Sequence, residues 1–261
     1  MHSIVKHVVS LAVMLLLLCG TAADAEPVKA RLKDGNSRGF LVLSRPGGPV
    51  LAHGEQRLKS SGDTIENHLM FKFKDGSLYD ETVTYSQRDV FRLEAYRLVQ
   101  RGPSFPTTEV SFDRKSGAYD ARTQEKKGDD EKASSGPLEL PDDVYNGMAL
   151  VLLKNGAAGT TVQMAVFTPK PRLIRMELSA HGEDRVRAGG ETWTAARYLV
   201  KLEVGGLTGI VASLLKKDPP DIRYWLISGD VPAFAGFEGA MYLNGPVWRV
   251  EQTGIERIDP K

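Results

Sequence analysis

Apolar and polar residues alternate with a period of two along most of the chain from Gly39 onward. Leu69, Phe71 and Phe73 fall on one side of such a segment, and the same alternation runs through residues 174–180 and 198–204. A strand with this pattern buries one face and exposes the other, which is typical of antiparallel sheets. The pattern therefore predicts a mainly β fold.

Short glycine-containing motifs separate the alternating segments. They are Asp75-Gly76, Lys115-Ser116-Gly117, His181-Gly182 and Gly189-Gly190, and each is suited to a hairpin turn. Several of the segments between them run for about ten residues, or roughly 33 Å of extended chain. Long antiparallel strands joined by tight turns predict a strongly curved sheet or an open barrel.

Two segments have helical patterns instead. The first begins after Pro141 and ends near Asn155, and residues 144–153 within it are apolar almost all round, which is typical of a buried helix. The second covers residues 207–215, where apolar residues recur at helical spacing until Pro219 forbids continuation. We expect both helices to pack on the concave side of the sheet, giving a mainly β member of the α+β class.

The first 25 residues have the features of a secretory signal peptide. Lys6 supplies the positive start, an apolar run follows from Val8 to Leu18, and Ala23-Asp24-Ala25 offers small residues to a signal peptidase. We expect cleavage before Glu26 and an exported protein, periplasmic or extracellular. A membrane helix needs about 20 apolar residues, and no segment after the signal reaches that length, so no transmembrane span is expected in the mature chain.

Cys19 leaves open an alternative for the same end of the chain, in which the protein is a lipoprotein. Leu16-Leu17-Leu18-Cys19 partly matches a lipidation signal, although Leu18 is bulky where such signals need a small residue. Cys19 is also the only cysteine. Cleavage before Glu26 would therefore leave no thiol and would exclude disulfides, cysteine nucleophiles and thiolate metal sites.

Residues 26–261 are predicted to form a single β-rich domain. Within them, residues 122–136 are strongly polar and contain no apolar side chain larger than alanine, which predicts a mobile, solvated loop. The loop could instead divide two domains. The alternating segments on its two sides look alike, which favours one domain.

The overall charge argues against a nucleic-acid partner. Lys and Arg number 34 against 33 Asp and Glu, a formal net charge of +1, whereas nucleic-acid binders usually carry a basic excess. His53, His68 and His181 lack the neighbours of a known zinc signature. We therefore expect neither a metal ion nor a cofactor.

Motifs for catalysis are equally scarce in the sequence. It contains no Gly-x-Ser-x-Gly elbow and no glycine-rich phosphate loop. Adjacent carboxylates occur at Asp80-Glu81, Asp129-Asp130-Glu131 and Asp142-Asp143, but glycosidase-type catalysis needs two carboxylates facing each other across a cleft. No catalytic residue is predicted.

Aromatic residues lie beside Gln or Arg in two segments, residues 73–103 and 218–249. Such combinations can form the wall of an amphipathic pocket, or they can be ordinary cross-strand pairs. The predicted ligand-binding residues are Arg88, Tyr198, Tyr224, Trp225, Trp248 and Arg249.

These segments also carry a resemblance. The hairpin sequence DGSLYDET (75–82), the strand sequence YSQR (85–88) and the closing run DPPD, YW and GPVWR (218–249) resemble a family of uncharacterised exported bacterial proteins that carry a domain of unknown function. The resemblance covers roughly residues 39–251 and implies no activity, cofactor or site residue. By looser fold analogy, a long curved sheet holding helices is similar to periplasmic lipoprotein-carrier folds, which bind acyl chains.

The expected function is non-enzymatic binding of an apolar or amphipathic small molecule or lipid in the cell envelope, because a curved sheet of long strands encloses more space than two helices fill. An envelope hydrolase and a scaffold that binds another envelope protein remain alternatives. An apolar pocket containing an Arg would favour binding. Two carboxylates about 5–10 Å apart would favour hydrolysis, and a filled core with an exposed apolar patch would favour the scaffold.

Overall fold

The computed structural model describes residues 27–167, 170–203 and 221–257. The predicted signal peptide and the helix predicted over residues 207–215 lie outside these ranges. Within them, no helix has the length and apolar character needed to cross a membrane.

One antiparallel sheet of 14 strands contains all the strands of these ranges, and this confirms the predicted mainly β, antiparallel fold. The strands are β1 Ser37–Ser44, β2 Val50–Ser61, β3 Thr64–Phe73, β4 Leu78–Gln87, β5 Phe91–Arg101, β6 Thr107–Asp113, β7 Ala118–Gln124, β8 Lys132–Pro137, β9 Thr160–Phe167, β10 Pro171–Ala188, β11 Glu191–Glu203, β12 Ile222–Ile227, β13 Ala233–Ala240 and β14 Val247–Arg257.

The spatial order of the strands follows the chain outward from the centre of the sheet. β1 and β14 are neighbours, β2 to β8 continue on one side, and β13 back to β9 continue on the other. The sheet is not closed, so β8 and β9 are its two edge strands. It nevertheless curves so far that its two wings touch, since the Phe167 ring of β9 lies 6.0 Å from Phe112 of β6 and 5.8 Å from Tyr119 of β7.

We call the face enclosed by this curvature the inner face and the opposite one the outer face. The largest hydrophobic cluster lies on the inner face and includes Ile65, Val83 and Phe112 from one wing with Met176 and Leu226 from the other. Alternation along each strand places these residues inside and their neighbours outside.

One helix, α1 (Ala149–Asn155), lies among the described residues. Its predicted end is confirmed, but the predicted beginning after Pro141 is wrong. Val144 forms a parallel bridge with Gln163 of β9, and Gly147 adopts a φ of +66°, which a right-handed helix does not contain. The helix therefore starts only after Met148, and Leu152 is fully buried in the largest cluster.

The turn motifs give a second correction. Three of the four motifs join strands as predicted: β3 to β4, β6 to β7, and β10 to β11. His181-Gly182 instead lies inside β10, where the register with β11 shifts between Ala180 and Glu183. Gly182 has a φ of +84°, so its freedom serves a β-bulge rather than a hairpin tip.

The segment 122–136 contributes backbone to the sheet. Its first residues complete β7, its last residues belong to β8, and a connection over residues 125–131 joins the two strands. Polar composition alone does not reveal such a hairpin, because edge strands commonly carry charged side chains.

Candidate ligand-binding cavity

A cavity of about 790 Å³ lies between the inner face and the segment that contains α1. Leu69, Met164, Met176 and Leu202 are among the apolar side chains that line it, and they come from β3, β9, β10 and β11. Small-molecule sites commonly measure about 300–1,000 Å³ with mostly apolar walls. The cavity has the size and lining of such a site.

Glu81 of β4 is the charged side chain in this lining. It is only 8% exposed and accepts a hydrogen bond of 2.9 Å from the Tyr96 hydroxyl of β5. Burial raises the pKa of Glu81 above its ordinary value, and the hydroxyls of Tyr96 and the nearby Tyr79 oppose that shift.

The surrounding tyrosines remain protonated donors. Burial raises the pKa of Tyr79 and Tyr96 well above the ordinary phenol range, and the nearby Glu81 charge adds to both shifts. The pKa of Tyr224 on the opposite wing is also raised, mainly by burial and to a smaller extent by the charge of Glu81. The polar part of the cavity is therefore a carboxyl group among neutral hydroxyl groups.

Strand alternation explains how Glu81 reaches this position. Tyr79, Glu81, Val83 and Tyr85 occupy successive inner positions of β4, whereas Asp80 faces outward and bonds His68 Nε2 at 3.0 Å. The adjacent pair Asp80-Glu81 is thus divided between the two faces. Glu81 stands at a position where the alternation of the strand otherwise places apolar residues, and this is the sequence signal that could have identified it.

A close approach of backbone covers Glu81 from the other side. A Cβ atom on Gly147 would lie 3.3 Å from Glu81 Oε1 and would collide with the Val83 side chain. Together with the positive φ of Gly147, this contact requires glycine. The segment before α1 therefore lies directly on the carboxyl-bearing part of β4.

A second polar position lies on β2 and β3. Gln56 Nε2 donates to Asn67 Oδ1 at 3.0 Å, and both side chains line the cavity. Gln56 also aligns across the sheet with Leu69, which aligns with Glu81. Polar groups therefore occur at two places on the apolar inner face, Gln56 with Asn67 and Glu81, with Leu69 between them; such separate polar points are suited to orienting an amphipathic ligand.

Three of the six residues predicted to bind a ligand face inward. Tyr224 lines the cavity, and Tyr198, its cross-strand neighbour, packs against the largest cluster. Trp248 belongs to a separate aromatic cluster, with ring centroids 5.4 Å from Phe73 and 5.3 Å from Phe105.

The other three lie on the outer face or at the surface. Trp225 bonds Asp184 Oδ2 through its indole N–H at 2.8 Å, and the Arg249 guanidinium lies 5.1 Å from its ring centroid. The Arg88 side chain is 77% exposed beside Asp63. The structure thus pairs Trp225 with Arg249 and Tyr198 with Tyr224, but it does not bring the six residues into one site.

The described part of the lining contains no Lys, Arg or His, and Glu81 is its single carboxylate. Across residues 27–167, 170–203 and 221–257, no group of three or more His, Asp and Glu side chains is placed to hold a metal ion. The cavity thus offers apolar surface, amides, hydroxyls and one carboxyl group.

Comparison with known proteins gives no further guidance. The sequence matches no protein-family model and no curated protein.

Proposed function

We propose that this protein binds an apolar or amphipathic small molecule, such as a single-chain lipid, in the cavity on its inner face. The observation that carries the proposal is the cavity of about 790 Å³, whose lining is dominated by Leu, Ile, Val, Met and aromatic side chains. Burying an alkyl chain against such a surface is favourable by roughly 0.8 kcal/mol per CH₂ group. Tyr224 is the predicted site residue that we retain in this site.

We place this binding in the cell envelope. The signal-peptide features of residues 1–25 support export, and the analogy with lipoprotein-carrier folds agrees with an acyl-chain ligand. Intact mass spectrometry of exported protein tests this part: the chain should begin at Glu26. A diacylglyceryl adduct on Cys19 would replace it with the lipoprotein alternative.

The alternatives fit the cavity less well. Hydrolysis by paired carboxylates needs a second acid across a cleft, and Glu81 is the only carboxylate in the described lining. A protein-binding scaffold predicts a filled interior, whereas this sheet encloses a large cavity. Non-enzymatic binding is therefore the function that we favour.

Displacement of a fluorescent probe tests the proposal. The neutral apolar dye N-phenyl-1-naphthylamine should bind saturably to the purified protein with enhanced emission, and dodecanol should displace it. Ala149→Trp, which adds an indole to the cavity wall, should weaken binding. Ala118→Trp is the matched control, because Ala118 is exposed at the start of β7.

Two results would overturn the proposal. One is the absence of saturable dye binding and of any response to dodecanol in the wild-type protein. The other is equal loss of binding in both tryptophan variants, because this would show that the dye does not occupy the cavity.

A further inference from the structure

The cavity has an unusual electrostatic character for a lipid site. Its described lining contains Glu81 and no basic side chain, so a carboxylate or phosphate inserted there would meet a carboxyl group instead of a counter-ion. Burying an unpaired anion is costly, and placing it beside a like charge increases that cost. An uncharged polar group meets neither penalty.

The hydrogen-bonding groups around Glu81 suit such a neutral partner. Tyr96 occupies Glu81 Oε1 from β5, and Tyr79 of β4 and Tyr224 of β12 also line the cavity, near enough for the Glu81 charge to raise the pKa of both phenols. A carboxylate accepts hydrogen bonds, and tyrosine hydroxyl groups can donate or accept them. An alcohol or amide could therefore satisfy this cluster without bringing a charge.

We propose that Glu81 makes the cavity discriminate against amphiphiles whose polar end is an anion, such as a fatty-acid or phosphate group, and favour those whose polar end is uncharged. This inference rests on the proposed function, because it concerns the ligand of the same cavity.

Ligands with the same chain and different polar ends test the selectivity. Dodecanol, dodecanamide, dodecanoic acid and dodecylamine should be compared by displacement of the same neutral dye at pH 8. We expect the alcohol and amide to bind at least roughly tenfold more tightly than the acid, because the acid is charged there and lies against Glu81. The amine should bind at least as tightly as the alcohol, because its ammonium group can pair with the Glu81 carboxylate.

Glu81→Gln isolates the contribution of the carboxyl group, since it preserves shape and hydrogen bonding but removes the charge. The ratio of acid to alcohol dissociation constants should fall at least about threefold in this variant. Glu66→Gln is the matched control. Glu66 lies on β3 with its side chain 50% exposed, so its removal should leave the ratio unchanged.

The outcomes separate this inference from the proposed function. If none of the four compounds displaces the dye and the dye itself does not bind, both are wrong. If the acid binds as tightly as the alcohol, or more tightly than the amine, the cavity binds ligands but the discrimination against anions is wrong. An unchanged ratio in Glu81→Gln would remove Glu81 as its cause.

Discussion

The Asn146 side chain pairs with both backbone groups of Ala165, as a neighbouring strand would. Its Nδ2 donates to the Ala165 carbonyl at 2.8 Å, and its Oδ1 accepts from the Ala165 N–H at 3.0 Å. Ala165 lies on β9, an edge strand of the sheet. The segment before α1 thus covers the free edge of β9, where the Asn146 amide extends the backbone hydrogen bonds that Asp143 and Tyr145 make with Gln163.

We expect Asn146→Ala to lower the free energy of unfolding by about 2–6 kcal/mol, because two buried backbone groups lose their partners at about 1–3 kcal/mol each. Chemical denaturation measures this loss. Asn36→Ala is a suitable comparison, because Asn36 accepts one hydrogen bond from the Ser60 N–H and should contribute about 0.5–1.5 kcal/mol. Equal losses in the two variants would contradict the edge-covering role.

The sequence predicted the sheet well because its signal is local. Leu69, Phe71 and Phe73 alternate in the sequence and occupy inner positions of β3, two of them fully or almost fully buried. The beginning of α1 could not be predicted in this way. The apolar run from Val144 looks helical, but its conformation depends on Gln163 and Ala165, which lie far along the chain.

The candidate site was harder to predict than the fold. Local chemistry singled out aromatic residues beside Arg, yet Trp225 and Arg249 pack together on the outer face. Glu81 was noticed only as half of the pair Asp80-Glu81, although its strand phase places it inside with Tyr79 and Val83. Which face encloses a cavity depends on the curvature of the whole sheet, and that is not a local property.

A buried ion pair anchors the start of the described chain to α1. Lys154 Nζ lies 3.3 Å from Asp34 Oδ1, with side chains 13% and 11% exposed, and the Tyr85 hydroxyl donates to Asp34 Oδ2 at 2.7 Å. Lys154→Met should lower the free energy of unfolding by about 3–5 kcal/mol, because it leaves a buried carboxylate without its cation.

The exposed pair of Lys33 and Asp63 provides the control for this variant. Its side chains are 46% and 40% exposed, so Lys33→Met should cost no more than about 1 kcal/mol. Thermal and urea denaturation of both variants check the comparison. If Lys154→Met lowers the free energy of unfolding by less than Lys33→Met does, the ion pair does not hold α1.

Gly54 of β2 lies directly beneath the Phe71 ring. A Cβ atom at this position would overlap that ring and would lie 2.9 Å from the Met70 carbonyl oxygen. Gly54→Ala should therefore destabilise the protein by about 1–3 kcal/mol through overpacking. It should also weaken dye binding, because Phe71 lines the cavity.

Gly39 on the neighbouring strand β1 is the matched control for this steric effect. The nearest atom to a Cβ on Gly39 is Gln56 Cβ at 4.0 Å, an ordinary contact. Gly39→Ala should leave the protein as stable as the wild type or more stable by up to about 1 kcal/mol, since alanine restricts the unfolded chain. Equal destabilisation of both variants would refute the steric explanation.

The stability of the protein should depend on pH through Glu81. Because burial raises the pKa of Glu81 in the folded protein above its ordinary value of 4.5, the folded state holds this proton at pH values where the unfolded chain has lost it. The contribution of Glu81 to the free energy of unfolding is therefore fully present below about pH 4.5, and it is lost as pH rises through the folded-state pKa. Tyr79, Tyr96 and Tyr224 face the same carboxyl group but stay neutral, since their own pKa values are raised.

Glu81→Gln removes the titrating group, so its Tm relative to the wild type should increase as pH rises from 4 through the folded-state pKa of Glu81 and should then level off. Glu66→Gln should show no such trend, because its carboxylate is half exposed on the outer face. Differential scanning calorimetry of the three proteins at several pH values measures the effect. A constant Tm difference between Glu81→Gln and the wild type across this range would mean that Glu81 does not titrate there, and the burial of its carboxyl group would then have no influence on the pH dependence of folding.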